Sequence, residues 1–235
     1  MLQQTQVARV IPAYRAFLKR FPTLRSLARA SLADVLRQWS GLGYNRRARD
    51  LHRVARSVGG ALPRDVDGLD ALPGIGAYTA GAVACFANGT RVAFADTNIR
   101  RVLGRLVLGR VASEREAVAI DAELMPRDAA WWHHALMDIG ATVCTARAPR
   151  CDACPLATTC AGRGRLTREP RRAQPAFATS DRRVRGWIVT LLRERDMSVD
   201  ALSSAIDDPR VPGLLAALAS EGMVERTGPT VRLPR

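Results

Sequence analysis

Four of the five cysteines lie close together, at Cys144, Cys151, Cys154 and Cys160. Their Cys-x6-Cys-x2-Cys-x5-Cys spacing places four thiolates in one compact loop that can wrap a single metal centre. In a reducing compartment such clustering favours metal binding over disulfides. Zinc is the competing interpretation, although structural zinc usually uses two short Cys-x-x-Cys knuckles, and this loop has one short pair and two wider gaps.

A second segment with chemical meaning runs from Leu72 to Ala82 and contains Gly74 and Gly76. Two glycines between short helices allow a tight turn and expose backbone N–H groups where the second helix begins, which favours an anion. The pattern predicts a helix-hairpin-helix over about residues 66–87 that binds a DNA phosphate, with Leu72, Gly74 and Gly76 as DNA-binding residues. A Rossmann loop is the alternative, but no strand-like run precedes the glycines and no third glycine has the required spacing.

Asp96 follows an apolar stretch, 18 residues after Tyr78, and begins a predicted helix. An aspartate at this place most often caps the helix. Because it follows so soon after the phosphate-binding hairpin, its carboxylate is also a candidate for stabilising the cationic sugar that forms when a sugar–base bond breaks.

The charge balance points to a polyanionic partner. Lysine and arginine number 36 against 22 acidic residues, a formal net charge of +14, which is typical of proteins that bind nucleic acid. A merely basic or ribosome-associated protein is the alternative. Lys19 is the only lysine, so a mechanism that needs a lysine amine has one candidate. The sequence shows no membrane-spanning run and no secretion signal, so we expect a cytoplasmic, nucleoid-associated protein without membrane contact.

Helices must position these residues, because the apolar residues up to about residue 140 keep helical spacing. We predict an all-α fold with a helical core over residues 1–143 and a cysteine loop over 144–160. A basic linker over 161–182 and a small C-terminal module over 183–235 follow. The order helix, helix, hairpin in that module suggests a winged-helix-like appendage, and an ordinary helical appendage is the alternative.

Several segments occur in an order that resembles a known family. They are Met1-Leu2-Gln3-Gln4-Thr5-Gln6-Val7, Gly41-Leu42-Gly43-Tyr44, the hairpin, Asp96-Thr97-Asn98 and the cysteine spacing. Over residues 1 to about 160 they resemble the endonuclease III superfamily of helix-hairpin-helix DNA glycosylases, in particular its A/G-specific adenine DNA glycosylases of the MutY type. The resemblance implies a 4Fe–4S cluster on the four cysteines. It also implies base excision repair by a monomer, acting on double-stranded DNA in which adenine is mispaired with 8-oxoguanine or guanine.

The resemblance assigns roles to three residues around the sugar–base bond. Asp96 would be the catalytic aspartate, with Asn98 and Tyr78 as neighbours that position it. Related bifunctional enzymes use a hairpin lysine as an amine nucleophile, and Tyr78 occupies that position here. The chain is therefore expected to be a monofunctional N-glycosylase that flips the base out of the helix and hydrolyses the bond with water.

Further residues would contact the DNA. The resemblance places Gln4 beside the flipped base, and it places His134 where relatives carry a Gln or Glu near the adenine. A solvated histidine is the alternative for His134. Arg147 and Arg150 lie in the first gap of the cysteine loop and are expected to present their charges to DNA phosphates.

The sequence departs from the family at both ends. The general-acid glutamate of the family lies two residues before the Met of the Met-Leu-Gln-Gln segment, and this sequence starts at that Met. We therefore expect a true start upstream of Met1, and poor adenine excision by the 235-residue polypeptide as written. Residues 183–235 are too few for the Nudix-like domain that relatives use to check the opposite base. A related glycosylase for another mispair or lesion, such as a thymine mispair, and a catalytically impaired DNA-binding homologue are the alternatives.

Overall fold

A computed structural model describes residues 1–2, 5–165 and 176–235, and most of these residues are helical. The elements in chain order are α1 (Val7–Arg20), α2 (Leu24–Arg29), α3 (Leu32–Gln38), α4 (Arg46–Ser57), α5 (Val66–Asp70), α6 (Ala77–Asn88), α7 (Thr97–Leu103), a π-helical turn (Gly104–Leu108), α8 (Glu114–Leu124), α9 (Ala129–Thr142), 3₁₀ turns at Cys151–Ala153 and Phe177–Thr179, α10 (Asp181–Glu194), β1 (Met197–Ser198), α11 (Val199–Ile206), α12 (Val211–Ser220), β2 (Glu225–Thr227) and β3 (Thr230–Arg232). The predicted helical fold is confirmed, with one small sheet near the C-terminal end.

The described residues form two compact units. The first unit consists of residues 1–62 together with residues 176–235, and the second consists of residues 63–165. The sequence suggested a different division, with one helical core up to residue 143 and a separate module from residue 183. The difference has a physical reason, because the C-terminal helices share a hydrophobic core with the N-terminal ones.

That shared core belongs to the first unit. Phe17 of α1 and Leu36 of α3 lie in the same buried cluster as Ile188 of α10 and Leu202 of α11. Leu36, Ile188 and Leu202 are each 0% exposed. Burial of this apolar surface provides most of the stabilisation of the unit, since each fully buried aliphatic side chain contributes about 1.5–3 kcal/mol.

The C-terminal part of the first unit has the element order of a winged helix, namely a helix, a short strand, two helices and a β-hairpin. The strands form an antiparallel sheet in the order β1-β3-β2, with Met197 and Arg226 both opposite Val231. The sequence missed β1 because a strand of two residues has no detectable alternation of apolar and polar residues. Of the predicted linker over 161–182, residues 166–175 lie outside the described residues, and α10 already begins at Asp181.

The second unit contains the hairpin helices, α7 to α9 and the cysteine loop. Helices α7 and α9 pack so closely that a Cβ atom added at Gly140 would lie 2.6 Å from the Cβ of Asn98. A larger residue at position 140 would therefore push the beginning of α7 aside. Among the described residues of the chain, no helix combines the length and the apolar character needed to cross a membrane.

The shared core leads to a test of the first unit. Ile188→Ala should lower the free energy of unfolding by about 2–5 kcal/mol, because it removes a fully buried side chain. The exposed Thr190 lies on the same helix, so Thr190→Ala serves as the control and should change stability by no more than about 0.5 kcal/mol. Urea denaturation measures both values. Amide hydrogen exchange should show that Ile188→Ala also weakens protection in α3, and unchanged protection there would contradict a shared core.

Candidate active site and cysteine loop

The hairpin joins α5 to α6 through a turn at Leu72–Gly76. The N–H of Ile75 donates to the carbonyl oxygen of Leu72 at 3.1 Å, and Gly74 has a φ of +73°, which a residue with a side chain rarely adopts. Gly76 is the residue before α6, and no side chain caps the helix there. The Leu72 side chain packs partly buried against the small apolar core between the two helices. The turn thus presents main chain at the beginning of α6, as the sequence predicted.

Asp96 caps the N-terminus of α7 with its side chain. Its Oδ1 accepts hydrogen bonds from the backbone N–H groups of Asn98 at 2.8 Å and Ile99 at 2.7 Å. Its Oδ2 accepts from the side-chain Nδ2 of Asn98 at 3.1 Å. The capping interpretation therefore holds, and it fixes both oxygens of a carboxylate that is only partly buried.

Arg101 connects this carboxylate to the neighbouring helix. It is 5% exposed, and its Nη2 donates to Asn98 Oδ1 at 2.6 Å and to the Gly140 carbonyl oxygen at 2.7 Å. Its Nε donates to the carbonyl oxygen of Cys144 at 2.6 Å. The oxygen of the Asn98 carboxamide is thus held by Arg101 while its nitrogen is directed to Asp96. No local sequence pattern singles out Arg101.

Tyr78, at the beginning of α6, lies within electrostatic range of Asp96. Burial raises the pKa of the Tyr78 phenol above its ordinary value, and the negative charge of Asp96 raises it further. The ring also packs edge-on against Phe94, with centroids 5.8 Å apart. The structure therefore brings together Asp96, Asn98 and Tyr78, and the raised pKa favours the neutral form of the Tyr78 phenol.

A fully buried polar cluster lies under the Phe94 segment. Asp121 and His133 are each 0% exposed, and His133 Nε2 lies 2.8 Å from Asp121 Oδ2. Asp121 also accepts from the Phe94 backbone N–H at 3.1 Å and from Trp132 Nε1 at 2.7 Å. The second nitrogen of His133, Nδ1, lies 3.6 Å from the sulfur of the buried Cys85.

This cluster was not predicted from the sequence, although α8 contains a signal for it. Asp121 lies four residues after the buried Ala117, so a carboxylate occupies the apolar face of the helix. A buried carboxylate needs partners, and the structure supplies them from α9 and the Phe94 backbone.

His134, predicted to lie near the adenine, does not join this group in the structure. His134 lies exposed on α9, where its ring stacks on Phe86 with centroids 4.4 Å apart. Gln4 lies outside the described residues.

The four cysteines line one cavity, together with Arg105 and further residues of the loop. All four thiols are free and partly buried. Arg105 is 2% exposed, and its Nη1 lies 3.5 Å from the Cys144 sulfur and donates to the carbonyl oxygen of Thr145 at 2.8 Å. Cys160 Sγ in turn lies 3.5 Å from the carbonyl oxygen of Arg105. Four sulfurs therefore border one cavity, which is the donor type that a thiolate-bound metal centre uses, and Arg105 is a residue of this site that the sequence did not reveal.

The thiols interact electrostatically around the cavity. Burial raises the pKa of Cys151, and the charges of Cys144, Cys160 and Cys154 raise it further. Within residues 1–2, 5–165 and 176–235, no three or more His, Cys, Asp or Glu side chains form a group that could hold a metal ion.

The two predicted phosphate contacts in the loop differ in their surroundings. Arg147 is exposed. Arg150 lines the cysteine cavity, and its Nη2 donates to the carbonyl oxygen of Thr142 at 2.6 Å. Arg150 is exposed as well, so both side chains are accessible to a phosphate.

Comparison with known proteins places these features in a family. Residues 1–127 match the HhH-GPD superfamily of base excision DNA repair proteins. The adenine DNA glycosylase of Mycolicibacterium smegmatis is 42% identical over 245 residues, which cover 97% of this chain and 82% of the relative. The adenine DNA glycosylase of Homo sapiens is 40% identical over 182 residues, which cover 72% of this chain and 33% of the relative.

Solved structures show the same fold. A trapped endonuclease III–DNA covalent intermediate superposes with a TM-score of 0.62 and 26% identity, covering 69% of this chain and 80% of that protein. A thermostable thymine-DNA glycosylase superposes with a TM-score of 0.61 at 24% identity, covering 70% of this chain and 81% of that protein.

The coupling between Tyr78 and Asp96 can be tested by titration. Asp96→Asn removes one cause of the raised pKa and keeps a side chain that can cap a helix, so the Tyr78 pKa should fall toward its ordinary value of 10.0. The measurement is the ultraviolet difference titration of Asp96→Asn with and without Tyr78→Phe. The exposed Asp70→Asn variant is the control and should leave the pKa of Tyr78 where it is.

The raised pKa of Tyr78 also determines how the free energy of unfolding depends on pH. The contribution of Tyr78 to that free energy is complete below pH 10.0, its ordinary pKa. It is lost as the pH rises through the folded-state pKa, because ionisation is less favourable in the folded chain. A Tyr78 pKa that is identical in the parent chain and in Asp96→Asn would contradict the proximity of the two groups.

Proposed function

Because the chain belongs to the HhH-GPD superfamily of base excision DNA repair proteins, we propose that it is an adenine DNA N-glycosylase. Its substrate is double-stranded DNA in which adenine is mispaired with 8-oxoguanine or guanine. The reaction hydrolyses the bond between C1′ of the sugar and the adenine and leaves an abasic site. Two relatives named adenine DNA glycosylase, one of them matched over 97% of this chain, support the assignment.

DNA binding begins with the charge and with the hairpin. The net charge of +14 attracts the phosphate backbone. The main chain at Gly74 and Gly76 offers donors to one phosphate at the beginning of α6, where the helix dipole favours an anion. Such contacts position the duplex without reading its sequence, as a repair enzyme requires. We propose that Leu72, Arg147 and Arg150 contact the DNA next to this phosphate.

The observation that carries the proposal is the geometry of Asp96. After the adenine has left the base stack, cleavage of the glycosidic bond creates positive charge on the sugar. A carboxylate held by three hydrogen bonds from residues 98 and 99 needs no reorganisation to stabilise that charge. We assign Asp96 as the catalytic residue and Asn98 and Tyr78 as residues that position it.

The adenine must receive a proton to become a good leaving group. When the bond to C1′ breaks, adenine leaves with the bonding electron pair, and the added proton makes the departing base neutral. Water then attacks C1′ and loses a proton, which completes hydrolysis. We propose as proton donor the glutamate that the family carries two residues before the Met of its Met-Leu-Gln-Gln segment. Gln4 and His134 are proposed as contacts beside the flipped base.

A Schiff-base lyase mechanism does not fit this chain. Tyr78 occupies the hairpin position of the amine nucleophile, and the only lysine, Lys19, is an exposed residue of α1. A raised phenol pKa makes Tyr78 a poor nucleophile. We therefore propose a monofunctional enzyme that acts as a monomer.

The cysteine loop is proposed to hold a 4Fe–4S cluster through Cys144, Cys151, Cys154 and Cys160. The loop spacing, the common cavity and the family support this assignment. The cluster would stabilise the loop and take no part in cleavage of the glycosidic bond. Arg105 stabilises the same loop by donating hydrogen bonds to its carbonyl oxygens.

The catalytic assignment of Asp96 can be tested in single-turnover assays. We expect a form that carries Ser-Glu-Val before Met1 to excise adenine faster than the 235-residue chain, because it supplies the proposed proton donor. In that form Asp96→Asn should bind an A·8-oxoguanine duplex with unchanged affinity and lose at least about a hundredfold in excision rate. Asp70→Asn, an exposed carboxylate, is the matched control. Undiminished excision by Asp96→Asn would show that another group stabilises the sugar cation.

The cluster assignment can be tested by chemical analysis of protein purified without oxygen. About four irons and four acid-labile sulfides per chain are expected, with visible absorption typical of an iron–sulfur cluster. Cys151→Ser should lose both, whereas Cys85→Ala should keep them, since Cys85 is buried beside His133. Stoichiometric zinc in place of iron would contradict the assignment.

A further inference from the structure

A pocket of about 680 Å³ lies in the first unit, between the beginning of α4 and the helices α10 and α12. Its floor is apolar and consists of Val189, Leu218 and Met223, which are each 1% exposed. This volume is within the range of about 300–1,000 Å³ that is typical of small-molecule sites. The proposed glycosylase chemistry does not use the pocket.

The sides of the pocket are strongly basic. Arg46, Arg47, Arg182 and Arg185 line it, and Glu221 is its acidic residue. Glu221 Oε2 contacts both Arg185 Nη2 at 2.6 Å and Arg46 Nε at 3.2 Å. Each guanidinium has five N–H donors, so one carboxylate oxygen cannot satisfy two of them. Glu221 therefore holds Arg46 and Arg185 in place, and the four arginines leave a net positive charge in the pocket.

The beginning of α4 adds to this positive potential. No side chain caps the helix, and the Asn45 Oδ1 accepts a hydrogen bond from Arg193 Nη2 at 3.0 Å. The first turn contains no acidic residue and starts with Arg46 and Arg47. Two cationic side chains at the positive end of a helix dipole are unfavourable, and an anion bound beside them would compensate for that repulsion.

Two aromatic side chains border the same pocket. Tyr44 is 44% exposed, and Phe177 is 64% exposed. Tyr44 has a φ of +48°, a conformation that is rare for a residue with a side chain, and the Arg47 guanidinium lies 5.1 Å from its ring centroid. Arginines beside exposed aromatic faces are the composition of sites that bind single-stranded nucleic acid, where bases stack on the rings.

We propose that this pocket binds one unstacked nucleotide of bound DNA, with its phosphate on Arg46, Arg182 and Arg185 and its base against Phe177 or Tyr44. A concave site cannot take a base that is paired and stacked within a duplex, so the nucleotide must have left the stack. The proposal rests on the proposed function in that DNA is the partner. It makes the winged-helix part of the first unit a DNA-binding element.

The test is fluorescence anisotropy of a 5′-labelled single-stranded dT trinucleotide titrated with the full 235-residue chain. Phe177→Ala should weaken binding about fivefold or more, which corresponds to loss of one stacked base. Arg182→Gln should reduce the slope of log K against log salt concentration by about 0.7, because one phosphate contact is lost. Tyr14→Ala and Arg29→Gln replace exposed residues of the same unit outside the pocket and are the matched controls.

Equal affinities and equal salt slopes for the pocket variants and their controls would overturn the proposal. Competition with dTMP distinguishes a site for free nucleotides from a site for a nucleotide within a DNA strand. If dTMP occupies the pocket as tightly as the trinucleotide, the pocket is a site for free nucleotides and the assignment to DNA is wrong. Weaker binding of dTMP supports the assignment to DNA.

The adenine-excision assay distinguishes this inference from the proposed function. If adenine is excised but neither Phe177→Ala nor Arg182→Gln changes trinucleotide binding, the pocket proposal is refuted and the glycosylase proposal is supported. If the form that carries Ser-Glu-Val before Met1 does not excise adenine, while both variants weaken trinucleotide binding, the glycosylase proposal is refuted and the pocket proposal is supported.

Discussion

The buried guanidinium of Arg101 joins three parts of the second unit through short hydrogen bonds. It donates to the carboxamide oxygen of Asn98, to the Gly140 carbonyl oxygen of α9 and to the Cys144 carbonyl oxygen at the start of the cysteine loop. A buried charge is costly unless it is fully hydrogen-bonded, so these acceptors must stay in place for the fold to be stable. The orientation of the Asn98 side chain, and through it that of Asp96, is thereby fixed by the packing of α7 against α9.

A second group of residues, which do not contact the Asp96 carboxylate directly, also fixes its position. The fully buried pair of Asp121 and His133 holds the backbone at Phe94, two residues before Asp96, and Phe94 packs against Tyr78. The helix-hairpin-helix and the carboxylate are therefore parts of one rigid arrangement within the second unit. This arrangement matches what the proposed chemistry needs, since a charge that is fixed before the reaction stabilises the sugar cation most effectively.

The sequence predicted the features that local patterns determine. The paired glycines predicted the hairpin, and the position of Asp96 at the start of a helix predicted its capping role. The sequence could not single out Arg101 and Arg105 among 36 basic residues, because their burial depends on carbonyl acceptors 39 to 43 residues further along the chain. The division into units was also hidden, since Phe17 and Ile188 share a core that no local pattern connects.

The proposed function depends on the Asp96 carboxylate being directed at the sugar of the excised nucleotide. The most direct measurement is a crystal structure of the chain on duplex DNA in which a cationic pyrrolidine analogue replaces the adenosine sugar. We predict that Asp96 keeps its hydrogen bonds to Asn98 and Ile99 and lies within ion-pair distance of the ring nitrogen. A pyrrolidine nitrogen that is paired with a different residue, with Asp96 turned away from it, would contradict the catalytic role of Asp96.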